Sequence, residues 1–240
     1  ALVFLLLLFA GFTASERRRR ELDLALEEER VERLRVAGEL RAARDIQMGM
    51  LPDPRRIEGL PITLDFFALL EPAEEVGGDL YDASMLDELR LCFMIGDVSG
   101  KGVPASLFMA LTKTLSKSLA RREQMPLEQV MRLVNDEVSR ENPAAMFVTT
   151  IIGIIDARSG AVELCNAGHN PPIRLSSVRP PQELDGANGP PLCVDEAFPY
   201  TPQRLQLHSG DLLLLITDGV SEAENGKQVC YGTARIIDCF

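Results

Sequence analysis

An α+β fold is expected for this chain, with two packed sheets, helices outside them and a long helix in front. Residues 16–45 hold nine basic and nine acidic side chains, no proline and a single glycine, Gly38. Their Glu, Arg, Leu and Ala are good helix formers. Residues 46–240 alternate strand and helix signals, and two strand-rich regions there flank a helical pair. The 240 residues are 46% apolar and 25% charged, a globular balance long enough for a sizeable core.

Taken in order, Ala1–Ala14 (ALVFLLLLFAGFTA) carries no charge. As a helix it would reach about 21 Å, short of the roughly 30 Å hydrocarbon core of a bilayer. No Met or basic stretch precedes it, so it reads as the end of a transmembrane segment whose beginning lies upstream rather than as a signal peptide. Arg17, Arg18, Arg19 and Arg20 follow at once, which predicts a membrane anchor with everything after it in the cytoplasm. The competing reading is a buried core helix. Residues 15–51 then form a charged helical linker. A stripe through Val36, Leu40, Ala43 and Met50 fits a short coiled coil that pairs two chains through residues 20–50. It equally fits a solvated spacer helix. Pro52 and Pro54 end it.

Residues 52–240 form the third part. Ile62–Leu70 and Leu89–Val98 read as strands. Ala105–Arg122 and Leu127–Asn142 have helical periodicity, each with a proline just before it, where a missing N–H costs nothing. Phe147–Asp156 and Ala161–Asn166 read as strands joined by a hairpin turn at residues 157–160. Arg179–Pro202, rich in Pro, Gly and Asn, reads as an exposed loop, and Leu212–Thr217 as a short, fully buried strand.

Charge narrows the function. The net charge is −11, and all of it belongs to residues 46–240, with 16 basic against 27 acidic side chains. A nucleic-acid binder needs a basic face, so nucleic acid is not expected as a partner. Two His and five Cys without CxxC spacing argue against a zinc site, and the odd, scattered cysteines argue for a reducing compartment. Cys92 and Cys165 sit in apolar runs and read as small core residues.

The chemistry gathers on aspartates. Asp79 follows Gly77-Gly78, Asp97 stands in Gly96-Asp97-Val98-Ser99-Gly100-Lys101-Gly102, and Asp218 precedes Gly219. Asp97 and Asp218 each end an apolar run, where a carboxylate is costly unless it is paired or binds a metal. Neighbouring glycines let backbone approach closely. Oxygen ligands of this kind suit hard cations such as Mg²⁺ or Mn²⁺. Turn capping by each Asp is the alternative. A P-loop is excluded, because three residues rather than four separate Gly96 from Gly100 and Gly102 follows Lys101. His169, in Ala167-Gly168-His169-Asn170-Pro171-Pro172, is read as a turn organiser, with general base as the alternative; His208 carries no signal.

The segments 75–82 (EVGGDLYD), 96–105 (GDVSGKGVPA), 167–172 (AGHNPP) and 217–220 (TDGV) with Glu222 resemble the SpoIIE/RsbU branch of the PPM (PP2C-like) serine/threonine phosphatases, as does the lead-in 43–52 (AARDIQMGMLP). The resemblance covers about residues 40–240. It implies a PP2C-like α/β-β/α sandwich of two antiparallel sheets, and a metal-dependent hydrolase acting on phosphoserine or phosphothreonine in bacterial signal transduction. Two divalent cations, Mn²⁺ or Mg²⁺, would be held by Asp97 as the bridging ligand, by Asp79 and Asp218, and by the backbone carbonyl of Val98. Gly78, Gly96, Gly100, Gly102 and Gly219 would support these loops. A metal-bound hydroxide would attack phosphorus directly. The expected partner is a phosphorylated STAS-like regulatory protein, an anti-sigma factor antagonist.

Two departures bear on this. Eukaryotic relatives often carry a His two residues after the bridging Asp, where this chain has Ser99, so the general acid is not identified. Family domains also usually continue past Gly232 through a helix to a final strand bearing an Asp-Asp pair, one of which binds metal, whereas this sequence stops at Phe240, so that helix and that strand are expected to be missing. The alternative to an enzyme is a catalytically inactive phosphatase fold that binds a regulatory partner. A weaker third option is a phosphatase of a small phosphorylated molecule.

Overall fold

The computed structural model describes residues 2–72, 75–122, 125–140, 142–184 and 186–240, leaving aside the side chains of residues 2–15 and 17. Two compact units are resolved, Ala1–Asp45 and Ile46–Phe240. A single helix, α1, runs over Leu2–Met50. In the first unit its charged stretch is solvated, and exposed pairs at helical spacing lace it together: Arg33 with Glu29 at 2.6 Å, and Arg35 with both Glu32 at 2.6 Å and Glu39 at 2.9 Å.

The predicted membrane anchor is corrected here. Among the described residues no helix is long and apolar enough to cross a membrane. The physical reason is charge: from Glu16 to Asp45 the helix carries nine basic and nine acidic side chains, too polar for a hydrocarbon core. The side chains of the uncharged run before Glu16 lie outside the described residues.

The second unit contains β1 (Leu80–Met85), β2 (Arg90–Val98), α2 (Gly102–Ala120), α3 (Leu127–Arg140), β3 (Val148–Asp156), β4 (Ala161–Ala167), β5 (Ile173–Leu175), β6 (Gln182–Glu183), β7 (Gln203–Gln206), β8 (Leu212–Leu214), α4 (Asp218–Ser221) and α5 (Thr233–Asp238). One antiparallel sheet has the order β1-β2-β3-β4-β7 and a second has the order β6-β5-β8. Alternation along the strands gives the large sheet two apolar faces. Cys92, Met94, Ile152 and Cys165 pack with Met109 of α2 and Val130, Met131 and Val134 of α3. Leu91, Phe93, Ile151, Val162 and Leu164 face the other way and meet Leu213 of the small sheet and Leu215 just after it. Ile173 and Leu175 of the small sheet and Ile216 after β8 pack with Ile236 of α5. The layers are therefore helices, sheet, sheet, helix, as expected. Cys92 and Cys165 are buried, and all five cysteines are free.

Three expectations need correction. Ile62–Leu70 forms no strand. Leu64 and Phe66 pack on the inter-sheet cluster while Ile62, Phe67 and Leu69 are exposed, so the alternation reports one buried face without a ladder partner. Arg179–Pro202 is not a wholly exposed loop. It contains β6, Leu192 exchanges both backbone hydrogen bonds with Val148 at 3.2 and 2.8 Å, and Leu184, Leu192 and Tyr200 are buried. Leu212–Thr217 is not fully buried, because β8 is short and Leu212 is about half exposed.

Candidate active site

Strand register brings the first two aspartates together. Leu80 pairs with Gly96, and Val98 N–H donates to the Gly78 carbonyl at 3.3 Å, so Asp79 lies across from Asp97. Asp97 shares the face of Ile95 and Phe93, which puts it at the end of the inter-sheet cluster. The third aspartate enters from the small sheet. Asp218 opens α4, and Thr217 before it donates to Asp79 Oδ2 at 3.1 Å.

The electrostatics are those of crowded acids. Burial, followed by the negative charges of Asp79 and Asp218, pushes the Asp97 carboxyl up to about 7. Burial also raises Asp79, opposed by the hydrogen bonds it receives from Asp97 and Thr217. Two like charges this close cannot both ionise without cost unless a counter-charge is present, and both carboxyls are accordingly raised.

The donor set fits a hard cation, since every candidate atom is an oxygen. A Cβ at Gly78 would lie 2.5 Å from the Val98 carbonyl oxygen and 3.0 Å from Asp97 Oδ1, so glycine keeps those oxygens uncovered. Asp218 acts on the pair through its charge. No group of three or more His, Cys, Asp or Glu side chains among the described residues is gathered closely enough to hold a metal ion. The supporting glycines divide. A Cβ at Gly96 would meet the Thr149 carbonyl at 2.9 Å, Gly100 and Gly102 turn the chain into α2 at φ of 91° and 74°, and Gly219 meets only Thr217 Oγ1, at 3.8 Å.

Ser99 is occupied structurally: Phe147 N–H donates to its Oγ at 2.8 Å and its own N–H donates to the Phe147 carbonyl at 2.9 Å. The turn at His169 is organised by Asn166, which accepts from His169 N–H at 2.8 Å and donates to its carbonyl at 3.0 Å. The His169 ring instead reaches β3, with Nδ1 2.9 Å from Thr149 Oγ1, and Thr149 Oγ1 lies 3.4 Å from the Asp97 carbonyl. Burial holds this imidazole neutral and pushes it down to about 4. Thr149 and Thr217 therefore touch the aspartates, Gln47 the Gly77 backbone before Asp79, and Asn166 the His169 turn, none of them assigned such a role from the sequence. Of these, Gln47 had a signal. It continues the 36, 40, 43, 50 stripe at helical spacing, a polar residue on an apolar seam.

Comparison with known proteins adds to this geometry. Residues 87–240 match the family model described as Stage II sporulation protein E (SpoIIE). The protein IcfG of Synechocystis sp. is 31% identical over 229 residues, covering 83% of this chain and 35% of its own length. Phosphoserine phosphatase RsbU of Bacillus subtilis is 31% identical over 165 residues, covering 68% of this chain and 49% of its own length. The chain thus spans less than half the length of these relatives. Among solved structures, the SiaA-PP2C domain of Pseudomonas aeruginosa superposes with a TM-score of 0.71 at 21% identity, over 86% of this chain and 81% of that one.

Proposed function

The chain belongs to the SpoIIE family, and on that premise we propose that it is a serine/threonine protein phosphatase that uses divalent cations to dephosphorylate a regulatory protein. The observation that carries this is the Asp79–Asp97 pair, two half-buried carboxyls facing each other beside the uncovered Val98 carbonyl. A pair held at such electrostatic cost in a family of phosphatases is best accounted for by a cation that relieves it. Asp79, Asp97, Asp218 and the Val98 carbonyl would hold two Mn²⁺ or Mg²⁺ ions. When bound, such ions supply an activated water and a positive field for the phosphate dianion. The chain's own contribution is orientation: Thr217 fixes Asp79, Thr149 and His169 brace the end of β2, and Gly78 leaves the donors open. A phosphorylated STAS-like protein is the proposed substrate, as the family resemblance implies. Pairing of two chains through residues 20–50 belongs to the same proposal, supported by the exposed Leu22, Leu26 and Leu34.

The test is phosphate release by the full chain from p-nitrophenyl phosphate and from a phosphoserine STAS protein, titrated with Mn²⁺. Turnover should require the metal and fall to background in Asp97→Asn. Near-normal turnover in that variant would refute the assignment. The gathering of two rather than three acidic side chains favours a second reading, an inactive phosphatase fold that binds its phosphoprotein. A folded chain that retains the phosphoprotein at every Mn²⁺ concentration without hydrolysing it would establish that reading instead.

A further inference from the structure

We propose that Gln47 is a positioning residue for the aspartate pair, holding Asp79 in place through the backbone of Gly77; this rests on reading that pair as a metal-dependent centre. Gln47 stands in the last turn of α1 and is only 4% exposed. Both ends of its amide are used on one residue. Nε2 donates to the Gly77 carbonyl at 2.7 Å, and Gly77 N–H donates to Oε1 at 3.2 Å.

The clamp acts where the chain is otherwise softest. Gly77 and Gly78 are consecutive glycines, the residues with the widest backbone freedom. A Cβ at Gly77 would make only ordinary contacts, 3.7 Å to Pro72 Cβ and 3.9 Å to Asp79 N, so sterics do not fix it. From the clamp the backbone passes directly to Gly78, whose carbonyl accepts from Val98, and then to Asp79. A second tie reinforces the first: Tyr81 Oη donates to the Pro52 carbonyl at 3.0 Å. The end of α1 and the turn after it therefore grip the approach to β1 on both sides of Asp79. An apolar side chain at 47 could fill the volume but would leave the part-buried N–H and C=O of Gly77 without their partner. Residues that orient metal ligands typically change metal affinity by about 10–100-fold when replaced.

The experiment is calorimetric titration of Mn²⁺ into the metal-stripped 240-residue chain, with p-nitrophenyl phosphate turnover as a second readout. Gln47→Leu should bind Mn²⁺ about tenfold more weakly, while kcat at saturating Mn²⁺ stays within about twofold. Gln47→Glu keeps an acceptor for Gly77 N–H and should lose about threefold, the share of one hydrogen bond. Val134→Ala, buried in α3, controls for stability: it should lower Tm and leave Mn²⁺ affinity unchanged. Should Gln47→Leu not fold, Gln47→Glu decides on the same terms. Unchanged affinity in a folded Gln47 variant, with binding abolished in Asp97→Asn, overturns the clamp and leaves the phosphatase reading standing. Equal losses of affinity in the Gln47 and Val134 variants also overturn it. A wild-type chain that binds no Mn²⁺ overturns both.

Discussion

The hydroxyl of Thr217 donates to Asp79 Oδ2 across 3.1 Å, and so joins the N-cap of α4, just after β8, to the entry of β1. The bond forms at the edge where all three aspartates arrive, and it holds Asp79 by a donor from the segment that leads from β8 into α4. Thr217→Val keeps the β-branched shape and removes the donor. The Mn²⁺ concentration for half-maximal turnover should rise about tenfold, with little change in Tm. An unchanged activation curve would show that Asp79 is held without Thr217.

Gly78 makes a harder demand. Alanine there would put Cβ 2.5 Å from the Val98 carbonyl oxygen, which is backbone and cannot swing aside. The approach to β1 would have to move, at a cost of about 1–3 kcal/mol for overpacking. Urea unfolding of Gly78→Ala should show a loss of that size, together with weakened Mn²⁺ activation. Gly226→Ala, where nothing lies within 4 Å of the added methyl, should stay within about 0.5 kcal/mol of wild type. Equal stabilities for the two variants would mean that the Gly78 contact is relieved by a small shift.

Much of this architecture is readable from local pattern, and the failures have physical causes. The strands Arg90–Val98 and Val148–Asp156 announce themselves because both their faces are buried. Leu80–Met85 does not, since it carries Tyr81, Asp82 and Ser84 and is stabilised by its ladder with β2, a contact that no local window contains. Ile62–Leu70 shows the converse, an alternation with burial but no ladder. Pro and Gly content marked residues 179–202 as irregular, correctly, but irregular backbone can still bury Leu192 and Tyr200 when its hydrogen bonds find partners. At the site, Asp79 and Asp97 were readable as carboxylates set among glycines. Their orienting partners were not, because Thr149 is an ordinary strand residue and Thr217 an ordinary helix N-cap until the fold brings them beside the acids.

Asp82 explains why a strand can carry a buried acid in its middle. It is 5% exposed and faces Lys113 Nζ at 3.6 Å and Lys117 Nζ at 3.2 Å, two lysines four residues apart on α2. Removing the carboxylate would leave Lys113, itself 7% exposed, charged and unmatched by Asp82. Breaking such a pair typically costs about 3–5 kcal/mol. Asp82→Asn should lose that much in urea unfolding, and adding Lys113→Met should recover part of it. A loss below about 1 kcal/mol for Asp82→Asn would mean that the lysines find water instead.

The metal-free protein should show opposed proton linkages around the site. Asp97 is raised from 3.8 to about 7, so between those values the folded state holds a proton that the unfolded chain releases. Its stabilising contribution is complete below about pH 4 and is lost as pH rises to about 7. His169 is lowered from 6.5 to about 4, so the folded state lacks a proton that the unfolded chain takes up. Its contribution is complete above pH 6.5 and is lost as pH falls to about 4. From pH 4 to 6.5 the two slopes oppose each other, and the raised Asp79 carboxyl adds to the Asp97 side. Asp97→Asn keeps a donor toward Asp79 but removes that titration. In EDTA, the stability of the wild type relative to Asp97→Asn should therefore decline steadily from pH 4 to 7. Relative to His169→Gln, it should climb from pH 4 to 6.5. Saturating Mn²⁺ should abolish the first trend, because the cation replaces the proton on Asp97. Parallel curves for wild type and Asp97→Asn in EDTA would show that the Asp97 carboxyl is not raised, and the electrostatic case for a cation between the two carboxyls would fall with it.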